Sequence, residues 1–275
     1  MSGPFIPETD YVYPTKQDHH MISFKFANKV DLSGDYPFRD RSAGFKFCRF
    51  FHRIFVKLIV LPVTRIRYAL KVEGKIDRQV AKDGLITVCN HVFMWDNLVV
   101  LCAGRGRNVE FPMWRTNMKN RMAKIYRYQG AIPVPNVALD GRQSLFRFMD
   151  ALNEVVQEKK WLHFYPETAL WHYYVPIRRF KRTVFDIAVK NRRPIVPLGI
   201  SYRPAKGIYK LFKKNEPNAT IRIGEPVWPD LTKPEREAAT ELRDKVHLAM
   251  IKLCGIESEE QNEELMKLYD YRDYD

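Results

Sequence analysis

GLITVCNHVFMWD, residues 84–96, decides how the chain is read. Its first six residues, Gly84 to Cys89, are a short β-branched run of the kind that forms a buried strand. Asn90 and His91 follow, then an apolar, helix-compatible stretch to Leu101. A strand passing directly into a helix is a unit of a layered α/β domain, in which sites form where the strands end at their carboxyl edge. His91 stands at such an end. An imidazole there can take a proton from an attacking hydroxyl near neutral pH, and works best when a carboxylate holds its other ring nitrogen. Asp96 is the candidate carboxylate. Residues five apart on an ideal helix point about 140° away from each other. Pairing therefore requires a strand-to-helix turn that brings Asp96 back toward His91.

Outward from this stretch the alternation continues. The predicted strands are Ala131 to Val134, Trp161 to Phe164, Pro194 to Ile200 and Ala219 to Ile223. The predicted helices are Met118 to Tyr128, Gly141 to Lys160, Thr183 to Lys190 and Pro234 to Leu253. Together they predict an α/β fold, a single layered domain with a central mixed, largely parallel sheet flanked by helices. Residues 1–40 read as an irregular arm, 41–72 as a basic aromatic amphipathic helical segment, 73–256 as the layered domain and 257–275 as an acidic tail, either a solvated helix end or a mobile terminus.

Charge narrows the partner. The 275 residues hold 46 Lys or Arg against 32 Asp or Glu, a net of +14. Such a surplus suits a nucleic acid, a membrane surface or a phosphorylated substrate. Residues 257–275 carry eight acids and two bases, so the preceding body carries +20. Arg41 to Val72 contains eight Lys or Arg and no acid. Within it Phe47, Phe50, Phe51, Ile54, Phe55, Leu58 and Leu61 recur on one helical face, beside a stripe of Lys46, Arg49, Arg53 and Lys57. An aromatic face beside a basic stripe is the pattern of a helix lying on an anionic membrane. The expected membrane contacts are Phe47, Arg49, Phe50, Phe51, Arg53, Phe55 and Lys57. A helix packed on the core with solvated cations has the same periodicity, so the segment by itself leaves both readings open. Pro62, which lacks an amide donor, is expected to end or kink this helix.

Several classes are excluded. No apolar run approaches the roughly 20 residues of a membrane-spanning helix. The acidic, Pro-containing start is not a secretory signal. The four cysteines form no CxxC pair and read as reduced thiols of a cytosolic compartment. The seven His are dispersed, so no metal site is expected. GxSxG, GxxxxGK[ST], GxGxxG and HExxH are absent, and so is any RRM, KH or zinc-finger signature, so no nucleic-acid partner is expected.

NHVFMWD (Asn90 to Asp96) resembles the NHxxxxD block of the PlsC-like glycerolipid acyltransferases, the lysophosphatidic acid acyltransferase family. GAIPVPN (130–136), FYPETALW (164–171, with Pro166 and Glu167 matching), RFKRTVFDIAVK (179–190), PIVPLGI (194–200) and IRIGEPV (221–227) resemble the blocks that follow it. They keep the family's order over about residues 45–255. The resemblance implies direct transfer of a fatty acyl group, with no acyl-enzyme, from acyl-CoA or acyl carrier protein. The acceptor would be a lysophospholipid hydroxyl such as that of 1-acyl-sn-glycerol-3-phosphate, in phospholipid biosynthesis. By the same resemblance His91 is the general base and Asp96 its orienting partner. Asn90, Asn136, Glu167, Thr168, Arg179 and Lys181 are expected at the substrate site, with no cofactor beyond the donor. The expected location is the cytoplasmic side of a membrane, peripheral or monotopic.

Two departures bear on the acceptor. Where the family's second block ends in Arg, this chain has Asn136. Where its third block reads Gly-Thr-Arg after the Glu, this chain has Thr168, Ala169 and Leu170. Those arginines are associated with gripping the acceptor phosphate, a task suited to a guanidinium fork. Their absence leaves three possibilities open. Arg178, Arg179, Lys181 or Arg182 substitutes for them; the acceptor is a non-phosphatidate lipid; or the protein is a non-catalytic anionic-lipid-binding protein with a decayed acyltransferase fold.

Overall fold

The computed structural model describes residues 3–21, 30–118, 120–213, 216–269 and 271–272. The chain begins with β1 (Tyr13–Pro14), α1 (Ala43–Phe55), α2 (Leu61–Arg67), β2 (Lys71–Glu73) and α3 (Arg78–Lys82). It continues through β3 (Leu85–Cys89), α4 (Asp96–Ala103), β4 (Val109–Trp114), α5 (Asn120–Gln129), β5 (Ala131–Val134) and α6 (Val137–Gln157). Then come β6 (Trp161–Phe164), α7 (Thr183–Lys190), β7 (Ile195–Arg203), α8 (Ile208–Phe212) and β8 (Asn218–Ile223). It closes with α9 (Glu235–Leu253), α10 (Glu259–Lys267) and β9 (Tyr271–Arg272).

Seven strands form one sheet in the order β2-β8-β7-β3-β6-β4-β5. Every pairing is parallel except β7 with β8, so the sheet is mixed and largely parallel, as expected. β3 lies between β6 and β7, with Thr87 opposite both His163 and Val196. All five of its residues are buried, as a strand covered on both faces requires. Alternation divides it between two cores. Ile86 and Val88 face α6, α7 and α9 through Leu152, Ile187 and Val246. Leu85 and Cys89 face Val99 and Val100 of α4 and Leu61 of α2.

The basic aromatic segment is a helical rod. Ser42 caps α1 by accepting from the Phe45 amide. Pro62 does not end the rod. A π turn over Val56–Val60, in which the Leu61 amide donates to the Val56 carbonyl, carries it from α1 into α2. The wider turn shifts the hydrogen-bond ladder just ahead of the proline, which then sits in the first turn of α2 where its missing donor costs least. Val56, Leu61 and Thr64 are buried, while Phe47, Phe50 and Leu58 are 67%, 59% and 63% exposed. Among the described residues no helix is long and apolar enough to cross a membrane.

Two strands of the seven-stranded sheet escape sequence patterning. β2 has only three residues. β4 contains Pro112, a residue that normally argues against a strand. Pro112 lies past Val109 and Glu110, the part of β4 paired with β6, so no bond to that neighbour is lost. Gly141, at φ 80°, interrupts α6 after one turn begun at Val137, earlier than predicted. The acidic stretch from Glu257 is largely folded: α10 buries Leu265 and Asn262, and Asn262 bonds both the amide and the carbonyl of Ile177. Among the described residues of the first 40, Tyr13, Leu32 and Phe38 are buried.

Candidate active site

His91 and Asp96 meet. The chain leaves β3 at Asn90, turns, and enters α4 at Asp96. His91 Nδ1 lies 2.6 Å from Asp96 Oδ2, which also accepts the Val92 amide at 3.2 Å. A carboxylate only accepts, so Nδ1 carries the proton and Nε2 presents its lone pair. Asp96 is buried, whereas the His91 side chain is 21% exposed, so its ring can be reached from outside. The five-residue spacing works because the turn, not a helix, separates the two side chains.

The His91 loop is held by partners distant in sequence. Glu167, in the turn after β6, accepts the His91 amide at 3.0 Å through Oε2. The same oxygen takes Arg178 Nη2 at 2.8 Å, and Oε1 takes the Arg178 amide at 2.9 Å. Both side chains are 1% exposed. Arg178 also donates to the carbonyls of Gln17 and Ala169 and lies over the Trp171 ring at 4.4 Å. The Trp171 amide donates to the His91 carbonyl, and the Tyr173 amide and Tyr202 hydroxyl donate to the Val92 carbonyl. Tyr165 stacks on the His91 ring, centroids 4.2 Å apart. Burial, then the Asp96 charge, pushes its phenol well above the usual range, so it stays neutral. His163 lies edge-on to Tyr165; burial first, and His91 second, lowers its pKa to about 3.

The substrate-site expectations divide. Asn90 does not reach the site surface. It is fully buried, and its amide exchanges two hydrogen bonds with the Ile200 backbone, tying β3 to β7 where the loop begins. Glu167 is likewise a clamp on the His91 backbone. Asn136 caps α6, its side chain accepting from the Ala138 amide. Thr168 is exposed at φ 67°, a left-handed conformation where the resembled family has Gly. Arg179 is exposed, Lys181 pairs with Asp18, and Arg182 with Asp186, so most of the basic cluster is a solvated face. The Cys89 thiol is raised by burial and is no candidate nucleophile. Among the described residues no His, Cys, Asp or Glu group could hold a metal.

Arg178 and Tyr165 are the site residues that sequence reasoning missed. Arg178 appeared there only as one member of a charged cluster. Tyr165 shares a strand face with Trp161 and His163 by simple alternation, a signal that was available.

Residues 69–201, which contain His91, Asp96, Tyr165, Glu167 and Arg178, match the family model described as Acyltransferase. Over these residues the chain is similar to the acyltransferase family, and its fold is PlsC-like. Among solved structures, the chain is similar to the crystal structure of the 1-acyl-sn-glycerophosphate (LPA) acyltransferase, PlsC, from Thermotoga maritima. The two are 21% identical, with 80% of this chain and 86% of that chain covered and a TM-score of 0.51. No curated protein sequence gives a significant match.

Proposed function

We propose that this acyltransferase-family protein works at a membrane surface, moving a fatty acyl group from an acyl thioester to a lysophospholipid hydroxyl. The observation that carries the reading is the His91–Asp96 pair at the carboxyl edge of β3, with no hydrogen-bond partner for His91 Nε2 among the described residues. In the reaction, Nε2 takes the acceptor hydroxyl proton as its oxygen attacks the thioester carbonyl. Asp96 holds the ring and stabilises the imidazolium that forms. The C–O bond forms, the C–S bond breaks, and the proton passes to the departing thiolate. CoA or acyl carrier protein suits the donor role, and no further cofactor is needed for this chemistry.

Two features support a lipid acceptor and a peripheral or monotopic position. Met94 and Trp95, at the tip of the catalytic loop, are 48% and 50% exposed and give the base an apolar rim. The exposed Phe face of α1 adds a second apolar surface on a cationic helix.

The headgroup is argued from the departures. Asn136 is engaged in capping, Leu170 is apolar, and Arg178 is committed to Glu167. None of these provides a free guanidinium fork, which favours a non-phosphatidate lysolipid over 1-acyl-sn-glycerol-3-phosphate as the acceptor. The test is radiolabelled acyl transfer from acyl-CoA and acyl carrier protein to a panel of lysolipids, with His91→Ala alongside. Activity is expected in wild type and to fall by about 10² or more in the variant. Equal transfer by both removes the mechanism. Transfer by neither, with lipid binding intact, leaves the non-catalytic lipid-binding protein.

A further inference from the structure

A polar cavity lies at the opposite edge of the sheet from His91. Between α1 and the amino ends of β4, β5 and β6 runs a cleft of about 770 Å³. Eight Lys or Arg and three acids line it. The acids are already engaged. Glu158 meets Arg39, Arg41 and Lys160; Glu110 meets Arg39 and Arg49; Asp40 accepts the Ser42 amide. Lys46, Arg53, Lys57 and Arg127 have no carboxylate partner among the described residues.

The centre of the cleft is under-satisfied. Arg49 reaches Glu110 through Nη1 at 3.2 Å, but its Nε and Nη2 are buried without a hydrogen-bond partner. Gly130, at φ 114°, forms the floor below it; a Cβ there would lie 3.2 Å from Arg49 Nη2 and 1.9 Å from the Val109 carbonyl oxygen. Arg53 sits one turn along the helix, half-buried. Burial first, and the Arg49 charge second, lowers its pKa to about 10. Two guanidinium groups held one turn apart with unused donors are stabilised by an anion that bridges them. Phosphate oxygens match that fork.

The surroundings decide the source of the phosphate. Phe50 and Ile54 line the cleft and are also part of the exposed apolar face of α1. Free phosphate needs neither an apolar wall nor so large a space. A lipid headgroup with its glycerol needs both, and would reach the cleft from a bilayer lying against that face. We propose that this cleft binds the phosphate headgroup of an anionic phospholipid, gripped by Arg49, Arg53 and Lys57, with its glycerol against Phe50 and Ile54. The site rests on the reading that α1 lies on a membrane, and is independent of acyl transfer at His91.

The test is co-sedimentation of the full chain with phosphatidylcholine vesicles, with and without phosphatidylglycerol. Phosphatidylglycerol is expected to tighten wild-type binding by about tenfold or more. The double variant Arg53→Gln with Lys57→Gln is expected to lose most of that gain and keep its binding to neutral vesicles. Lys190→Gln with Arg192→Gln, an equal charge change on and just after α7, is expected to keep the gain. Loss of the gain to the same extent in both variants, retention by the first, or complete competition by inorganic phosphate each overturns the proposal. If circular dichroism shows the first variant unfolded, Glu158→Gln decides. It removes one acid from the cleft and leaves Lys160 without its carboxylate, while Arg39 and Arg41 keep Glu154, and is expected to increase the gain; no increase refutes the site. His91→Ala is expected to bind anionic vesicles like wild type, so failure of transfer and failure of this site are read separately.

Discussion

Replacing Arg178 by Met tests whether the Glu167 clamp holds the catalytic loop. The guanidinium and carboxylate are 2.8 Å apart and each 1% exposed, so solvent cannot compensate for either when the other is removed. Removing one partner of such a pair typically costs about 3–5 kcal/mol. The carbonyls of Gln17 and Ala169 lose a charged donor as well, and Trp171 loses the guanidinium 4.4 Å from its ring centroid. A loss of about 4 kcal/mol follows, a large fraction of a stability of about 5–15 kcal/mol. It corresponds to a fall of about 10 °C in Tm for a domain of this size. The assay is urea unfolding of wild type, Arg178→Met, Glu167→Gln and the double variant. Each single change strands one charge and the double change strands none, so the double is expected to cost less than the sum by at least about 2 kcal/mol. Additive costs, or a loss below about 1 kcal/mol for Arg178→Met, would refute the clamp. Because the oxygen that binds Arg178 also binds the His91 amide, the single variants should lose transfer activity even at temperatures where they remain folded.

Other consequences are open to direct measurement. His163 titrates near 3 in the folded protein, against about 6.5 when unfolded. The unfolded chain therefore takes up this proton first as pH falls, so the neutral ring's contribution is whole above 6.5 and declines between 6.5 and 3. His163→Gln should flatten the dependence of unfolding free energy on pH in that window by about one proton, or about 1.4 kcal/mol per pH unit; an unchanged slope would contradict the assignment. Thr168→Gly should stabilise the protein by about 0.5–1 kcal/mol in thermal melts, because a β-branched residue at φ 67° is strained and Gly is not. A lower Tm would show that the Thr side chain has a compensating contact. Phe47→Ser with Phe50→Ser should change folding stability by less than about 1 kcal/mol, since both rings are already exposed, yet weaken binding to neutral vesicles by about tenfold or more. Full vesicle binding by that variant would remove α1 from the membrane contact.

The proposed catalytic pair was legible because its geometry is local. β3, the turn and the start of α4 are consecutive, so residue order alone brought His91 and Asp96 together. The same holds for the Phe face of α1, which depends only on helical period. β4 was not legible, because Pro112 argues against a strand until its pairing with β6 is seen to stop at Glu110. The folded portion of the acidic stretch was missed for a related reason. Its charges suggest solvation, whereas α10 is fastened by Asn262 and Leu265, two residues among many acids.

By itself the sequence determined the α/β order of elements, the closeness of the candidate base His91 to Asp96, and the separation of cationic body from acidic end. Each depends on neighbours within a turn or a strand. Only the tertiary structure decided which charges are available to a ligand. Glu167 and Arg178 neutralise each other behind His91, and Lys181 and Arg182 are paired at the surface, so none of these is a free phosphate grip. Arg49 and Arg53 line the cleft under α1 with donors or charge unmatched. Charge in a sequence is a sum over residues. Its availability depends on distance to the opposite charge and on burial, and both are set by contacts between segments far apart in the chain.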